Sequence, residues 1–464
     1  MSRLSQAISG IPVVQVLKQR PNFRVFLLGQ VVSQLGSAMH RIALMWLVLE
    51  LTGSALKMGS VMIVYLLPEL ALGMIAGALV DRMDRRKVMI AADLFRGAIV
   101  LALPVLAALQ LLSFYTILVL SFFLALASTF YQPAKTAALP RVVAKEELLQ
   151  ANSLTQTAWQ VTNIVGPALG GILIGNVGSV NVFLFDALSY AVSALALSRI
   201  VLELEGRSGG SAIEAGGSCG LEGADVQPAT SGGEDSPAGT SSVERLFRGI
   251  LADLKEGLIY VYNQKAILYV IGIAVVLNFV GAPVGILTPI FAEKVLGVGA
   301  TGFGLINSAG SVGMLLGALL VGYLSGVRAS VLMMSSIMVG GVFMGLFGLT
   351  QALWQAMAVF ALFGVSNSFA NVTFFTSLQQ MVPDDKMGRV SSVVMTGVMI
   401  AQPLAMAVTG FLADSVALHW LYAAAGLVMV VMGGAALGIS ELAAFDEPGQ
   451  SAQKGFTPQV TEMQ

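Results

Sequence analysis

The sequence predicts an all-α membrane protein: twelve transmembrane helices in two pseudo-symmetric halves of six. Three observations carry this. Of 464 residues, 56% are hydrophobic and only 11% charged, with a mean hydropathy of +0.82; a soluble domain is about 25% charged. The apolar residues gather in runs long enough to cross a bilayer, which takes roughly 20 residues. The charges fall between the runs, and the basic ones fall almost wholly on one side.

The runs cover about 23–50, 56–80, 88–109, 114–138, 148–175 and 180–201, then 266–292, 302–326, 329–349, 353–381, 389–413 and 418–440. Residues 1–22 read as a cytoplasmic lead-in, because Lys18, Arg20 and Arg24 adjoin a run too long for a cleavable signal core. With that end inside, Lys18, Arg82, Arg85–Lys87, Lys135, Arg141, Lys145, Arg199, Arg245, Arg248, Lys255, Lys265, Arg328, Lys386 and Arg389 are cytoplasmic, and only Lys57 and Lys294 fall outside. That asymmetry sets orientation and an even number of spans, with both termini cytoplasmic.

The six-helix halves are 23–201 and 263–440. Between them, 202–242 is Gly/Ser-rich and acidic and cannot bury a core, so disorder is expected there. Residues 243–262 repeat apolar side chains at helical spacing (Val243, Phe247, Ile250, Leu254, Leu258, Val261). This is an amphipathic helix, either lying on the inner leaflet or packed under the bundle. The tail, 441–464, is polar.

Composition also excludes. One cysteine, Cys219, rules out an intrachain disulfide. Two histidines and one cysteine argue against a transition-metal site. No Gly-x-x-x-x-Gly-Lys-Ser/Thr phosphate loop, nucleophile motif or nucleic-acid-binding surface is present. The expectation is no enzyme and no cofactor.

The densest charge cluster is Gly77-Ala-Leu-Val-Asp81-Arg82-Met-Asp84-Arg85-Arg86-Lys87, between the second and third spans. On charge alone it is a positive-inside loop. It resembles the cytoplasmic loop motif of the major facilitator superfamily, Gly-x-x-x-Asp-Arg-x-Gly-Arg-Arg, with Asp84 in place of the later glycine. The resemblance implies a conformational latch made by Gly77, Asp81, Arg82, Arg85 and Arg86, with paired charges and helix dipoles holding helix ends together.

The halves echo each other. Pro140–Leu148 leads into a helix with Gly166-Pro167, and Gln380–Arg389 leads into one with Gln402-Pro403. Such a parallel repeat places substrate near the midplane between the halves. The second half keeps no copy of the acidic loop, since Gly317–Arg328 contains no acid. Ala92-Asp93-Leu94, Tyr131-Gln-Pro-Ala134, Ala151-Asn-Ser-Leu154 and Phe185-Asp-Ala-Leu-Ser-Tyr190 resemble the bacterial macrolide-efflux branch, to which the enterobactin exporter is related. Gly166-Pro167-x-x-Gly170-Gly171 resembles the superfamily's antiporter motif, with Thr162 at its earlier glycine. The superfamily implies a monomer.

Polar faces in lipid are costly, so they point inward, to a cavity or to neighbouring helices. The first span carries Gln30, Ser33, Gln34, Ser37 and Arg41 on one face, and the fifth carries Gln156 among others. Superfamily architecture singles out Gln34, Arg41, Asn278, Asn367 and Asn371 as cavity residues. Ionisable residues inside spans cost roughly 2.5–3.5 kcal/mol on insertion scales. Glu69, Asp93 and Asp186 are the candidate proton-coupling acids, Glu69 first because no basic residue neighbours it in sequence. The alternative for Glu69 is a structural acid, neutral or paired with Arg41. Asp93 and Arg96, one turn apart, read as a local pair. Pro283, Gly285 and Pro289 are expected to interrupt the seventh span.

The function implied is a proton-coupled secondary exporter of a small amphipathic compound, such as a macrolide-like drug, in the bacterial inner membrane. Its partners are that compound, protons and membrane lipid. Export of a siderophore, secreted peptide or lysolipid is the alternative. A membrane sensor without transport is a further one, and would need a folded cytoplasmic output module.

Overall fold

The computed structural model describes residues 16–17, 19–200, 257–281, 284–324 and 326–439. The linker 202–242, most of the amphipathic helix 243–262, Pro283 and the tail 441–464 lie outside the described residues. No strand occurs among the described residues.

The first half contains α1 (Pro21–Thr52), α2 (Ala55–Val80), α3 (Arg85–Ala108), α4 (Phe114–Ala138), α5 (Leu148–Val177) and α6 (Ser179–Arg199). The second contains α7a (Lys265–Gly281), α7b (Val284–Lys294), α8 (Gly299–Leu320), α9 (Ala329–Phe347), α10 (Leu353–Met381), α11 (Asp384–Ala413) and α12 (Leu418–Leu437). Pro289 lies inside α7b and does not break it. Among the described residues, eleven spans are long and apolar enough to cross a membrane, α7a and α7b counting as one. Helix α5 is not among them although it has 30 residues; Asn152, Gln156, Gln160 and Asn163 dilute its hydropathy. It completes the twelve. Helices α3 and α11 begin before their apolar runs do, because hydropathy marks the lipid-facing stretch and not the hydrogen-bonded turn beyond it.

Helix pairing repeats between the halves. In the first, α1 packs on α5 and α6, α2 on α4, and α3 on α4 and α6. In the second, the same partners recur six helices later: α7a with α11 and α12, α8 with α10, and α9 with α10 and α12. The halves meet along two seams related in the same way, α5 with α8 and α2 with α11. Close approach depends on small residues. A Cβ on Gly171 would lie 3.0 Å from the Gly304 Cα, and one on Gly410 would lie 2.8 Å from the Leu56 Cα. Both contacts lie toward the end of the bundle that carries the α1–α2, α5–α6, α7b–α8 and α11–α12 connections.

The opposite end carries the basic residues. There Asp84 caps α3: its Oδ1 accepts from Arg86 N at 3.0 Å and Lys87 N at 3.4 Å. The departure from the superfamily's glycine is therefore a helix N-cap, which satisfies otherwise orphaned amides. Asp84→Ala is expected to cost about 1 kcal/mol of stability and Asp84→Gly only a few tenths. Thermal unfolding of the two purified variants checks this; equal losses contradict the cap.

Arg86 Nε donates to Leu197 O at 2.9 Å, and Arg86 Nη2 donates to Ser198 O, tying α3 to the C-terminus of α6. The expected charge pairing is otherwise missing. The side chains of Asp81 and Arg82 are exposed, with no hydrogen bond or ion pair among the described residues, and Arg85 Nε is buried without a partner. A Cβ on Gly77 would meet nothing within 4 Å. Below the bundle, residues 257–263 form a helical turn. A Cβ on Gly257 would lie 2.8 Å from Arg389 O, and Val261 is buried. This described piece packs against the start of α11, not away from the protein.

Candidate functional site: the cavity between the halves

A cavity of about 970 Å³ opens between α1, α2, α4 and α5 on one side and α11 on the other. It reaches Lys135 and Ser392 near the basic end. At Gly73, on its wall, a Cβ would meet nothing within 4 Å. The seams close the opposite end, so the cavity faces the basic end.

Helical spacing explains its polar wall. Gln30, Ser33, Gln34, Ser37 and Arg41 of α1 recur every three or four residues and all line it. Gln34 presents an amide whose nitrogen and oxygen are both buried and unpartnered. Arg41 Nη2 donates to Asn163 Oδ1 at 2.7 Å, so its partner is a neutral amide of α5. Glu69, on α2 one residue beyond Pro68, is exposed in the cavity and makes no ion pair or side-chain hydrogen bond among the described residues. Thus Arg41 and Glu69 share a cavity without pairing. Gln156 is exposed but is not on the cavity wall.

Behind the wall lies a buried polar cluster. Arg96 pairs with Asp93 on α3, and Ser193 Oγ of α6 donates to the other Asp93 oxygen at 2.7 Å. The Arg96 guanidinium sits 3.9 Å from the Tyr131 ring centroid and 4.6 Å from that of Tyr190. Gln30 Nε2 donates to the Tyr131 hydroxyl, and the Tyr190 and Ser37 hydroxyls are 3.0 Å apart. Asp93 has no exposed surface. The pair braces α3 against α6 and α4, while one edge of Arg96 reaches the cavity.

Asp186 has a partner that sequence reasoning missed. His40 Nδ1 of α1 lies 2.9 Å from Asp186 Oδ2 of α6, and both residues are buried. The approach is misaligned for hydrogen bonding, which leaves both His40 nitrogens and that oxygen unsatisfied. The Phe183 ring meets the imidazole edge-on at 5.0 Å. The available signal was the cost of any ionisable side chain inside a span: His40 is one of only two histidines and sits within the first apolar run. The pair lies outside the cavity wall.

Asn278, Asn367 and Asn371 line a second chamber of about 560 Å³ within the second half. Met395 borders both chambers. The amide nitrogens of two of these are engaged locally: Asn278 donates to Ala274 O at 2.9 Å, and Asn371 to Asn367 Oδ1 at 2.8 Å.

The α5 motif divides its glycines between two tasks. Gly166 and Gly170 face Ala38 and Met39 of α1, whereas Gly171 faces Ala300 and Gly304 of α8 across the seam. Thr162, at the motif's earlier glycine, is buried and donates to Trp159 O at 2.9 Å.

Comparisons agree with this architecture. The chain is 22% identical over 408 residues to macrolide efflux protein A of Streptococcus pyogenes, covering 87% of this chain and 92% of that protein. It is 28% identical over 420 residues to the multidrug efflux pump Tap of Mycolicibacterium fortuitum, covering 89% and 94%. Its fold is similar to a bacterial homologue of the iron transporter ferroportin in the inward-facing state, with TM-score 0.67, 15% identity, and 90% of this chain and 98% of that one covered. A bacterial homologue of the lysosomal transporter Spinster gives TM-score 0.63 at 13% identity, covering 95% and 99%. The Major Facilitator Superfamily model matches residues 26–402 and again 269–462. With its helix pairing repeated after six and its cavity between the repeats, this multi-pass membrane protein belongs to the Major Facilitator Superfamily.

Proposed function

We propose that the protein is a proton-coupled secondary exporter of a small amphipathic compound, working as a monomer in the bacterial inner membrane with both termini cytoplasmic. The observation that carries this reading is the cavity: closed at one end by the α5–α8 and α2–α11 seams, facing the basic end, and exposing one carboxylate, Glu69. Basic loops mark the cytoplasmic side, so the cavity loads from inside. Alternating access then parts the glycine seams and brings the basic ends together. Relatives named as macrolide and multidrug efflux pumps support the outward direction. The latch motif acts in the second state, where Asp81 and Arg82 gain partners across the halves.

Glu69 is the coupling acid in this reading. Its carboxylate loads a proton from outside and releases it inside as cargo binds. The test is accumulation of a macrolide and a fluorescent drug panel in an efflux-deficient bacterium, with and without a protonophore. Wild type lowers accumulation, and the protonophore abolishes the effect. Glu69→Gln, at matched expression, loses protonophore-sensitive export by roughly a hundredfold or more, the low end of the usual contribution of a general acid–base group. Undiminished export by Glu69→Gln removes Glu69 from the coupling role.

A further inference from the structure

We infer that the transported molecule is a two-ended amphiphile with a zwitterionic head, seated head-first in the cavity between the halves with its apolar body in the chamber within the second half. The inference rests on the export reading above and names the chemistry of its cargo.

The two chambers differ in charge. Arg41, Glu69, Arg96 and Lys135 line the first, while no acidic or basic side chain lines the second. The second is walled mainly by methionines, phenylalanines and aliphatic residues; its polar side chains, Asn278, Ser336, Asn367, Asn371 and Gln402, are neutral, and the amide nitrogens of Asn278 and Asn371 are already bonded to their own helix. The chambers adjoin at Met395. A molecule bridging them therefore has one charged end and one apolar end.

The head's charge follows from what is left unneutralised. Arg96 is neutralised by Asp93. Arg41 meets only the Asn163 amide, and among the described residues neither Lys135 nor Glu69 forms an ion pair. Charges of both signs thus face the chamber from α1, α4 and α2 without pairing with one another. Arg41 and Glu69 are exposed to water in the open cavity; a bound molecule displaces that water, and a charge it leaves uncompensated there is costly. A purely anionic head leaves Glu69 opposing it, and a purely cationic head leaves Arg41 and Lys135 opposing it. A zwitterion satisfies both signs. It also fits exchange: its cationic group competes with the proton for Glu69, while its anionic group anchors on Arg41 and Lys135. An anionic cargo would instead bind better when Glu69 is protonated, which favours co-transport over exchange.

The test uses the full chain in nanodiscs and three dodecyl amphiphiles below their micelle concentrations: a sulfobetaine, a trimethylammonium and a sulfate. Empty nanodiscs give the partition background. The sulfobetaine is expected to bind about tenfold tighter than either singly charged head, a difference of about 1.4 kcal/mol. Glu69→Gln shifts preference to the sulfate, and Arg41→Gln with Lys135→Gln shifts it to the trimethylammonium. Preferences are ratios within one preparation, so a partly unfolded variant lowers all three signals without imitating a switch. The wild-type order alone is decisive. Equal or tighter binding of the trimethylammonium or of the sulfate, or no binding above background, overturns the inference. Energy-dependent efflux of the three heads from cells is scored separately. Tight sulfobetaine binding without efflux sinks the export reading and leaves the head assignment standing. Efflux of the cation alone does the reverse.

Discussion

Replacing Arg96 with methionine is expected to destabilise the protein by roughly 3–5 kcal/mol, the cost of leaving a buried partner's charge uncompensated. Asp93 has no exposed surface, and its remaining partner is the neutral Ser193 hydroxyl. The loss goes beyond charge. The guanidinium fills the gap between the Tyr131 and Tyr190 rings, and those rings carry the hydrogen bonds to Gln30 and Ser37 of α1. Four helices thus lean on one side chain. Removing both charges together, Arg96→Met with Asp93→Leu, is expected to recover much of the stability, because an apolar pair of similar volume is often neutral or better. Thermal unfolding of the detergent-purified protein separates the cases. An unchanged midpoint for Arg96→Met alone would falsify the bracing role. A double variant no better than the single one would show that ring packing, not charge compensation, dominates.

The second large effect is expected at Gly171. A Cβ there meets backbone on α8, 2.5 Å from Ala300 O and 3.0 Å from Gly304 Cα, and backbone cannot move aside as a flexible side-chain tip can. Gly171→Val forces α5 and α8 apart at the closed end. Overpacking of this kind costs typically 1–3 kcal/mol, and under the alternating access proposed above the closed end belongs only to the conformation with that seam intact. A bias of that size shifts the balance of two conformations by about 5–150-fold. Transport should fall by a comparable factor, with the fold intact. Gly166→Ala, by contrast, meets Ala38 within the first half and should lower stability more than it biases the seam. The readout is labelling of a single cysteine placed at Thr301 of α8, whose hydroxyl donates to Gly171 O across the seam at 3.2 Å, in a background where Cys219 is serine. Gly171→Val should raise labelling by a membrane-impermeant reagent from the side opposite the basic loops. Unchanged labelling and transport would mean that the seam is not the gate.

Much of the architecture was legible because the bilayer acts on each segment separately. Every span must satisfy its own backbone and present apolar side chains to lipid. Span existence and order, the even count and the basic end therefore follow from local composition. The spans predicted at 114–138 and 353–381 coincide with α4, Phe114–Ala138, and α10, Leu353–Met381. Elsewhere the ends differ by a few residues, because helix caps and lipid boundaries are set by different forces. Asp84 shows this: read against a motif it is a departure, while in the folded chain it is the N-cap that starts α3.

The candidate site divides along the same line. Spacing alone placed Gln34 and Arg41 on one face, and local proximity alone paired Asp93 with Arg96. That Glu69 faces the same cavity as Arg41 yet does not pair with it was decided by how α1, α2 and α5 pack. So were the meeting of Asp186 with His40, the absence of Gln156 from the cavity wall, and the confinement of Asn278, Asn367 and Asn371 to a chamber without charge. The sequence by itself determined that polar faces must be hidden from lipid, since that cost is paid residue by residue along one helix. Which faces meet across helices was left to the tertiary structure, because contacts between residues 40 and 186, or 171 and 304, depend on close approach of backbones that no local pattern encodes.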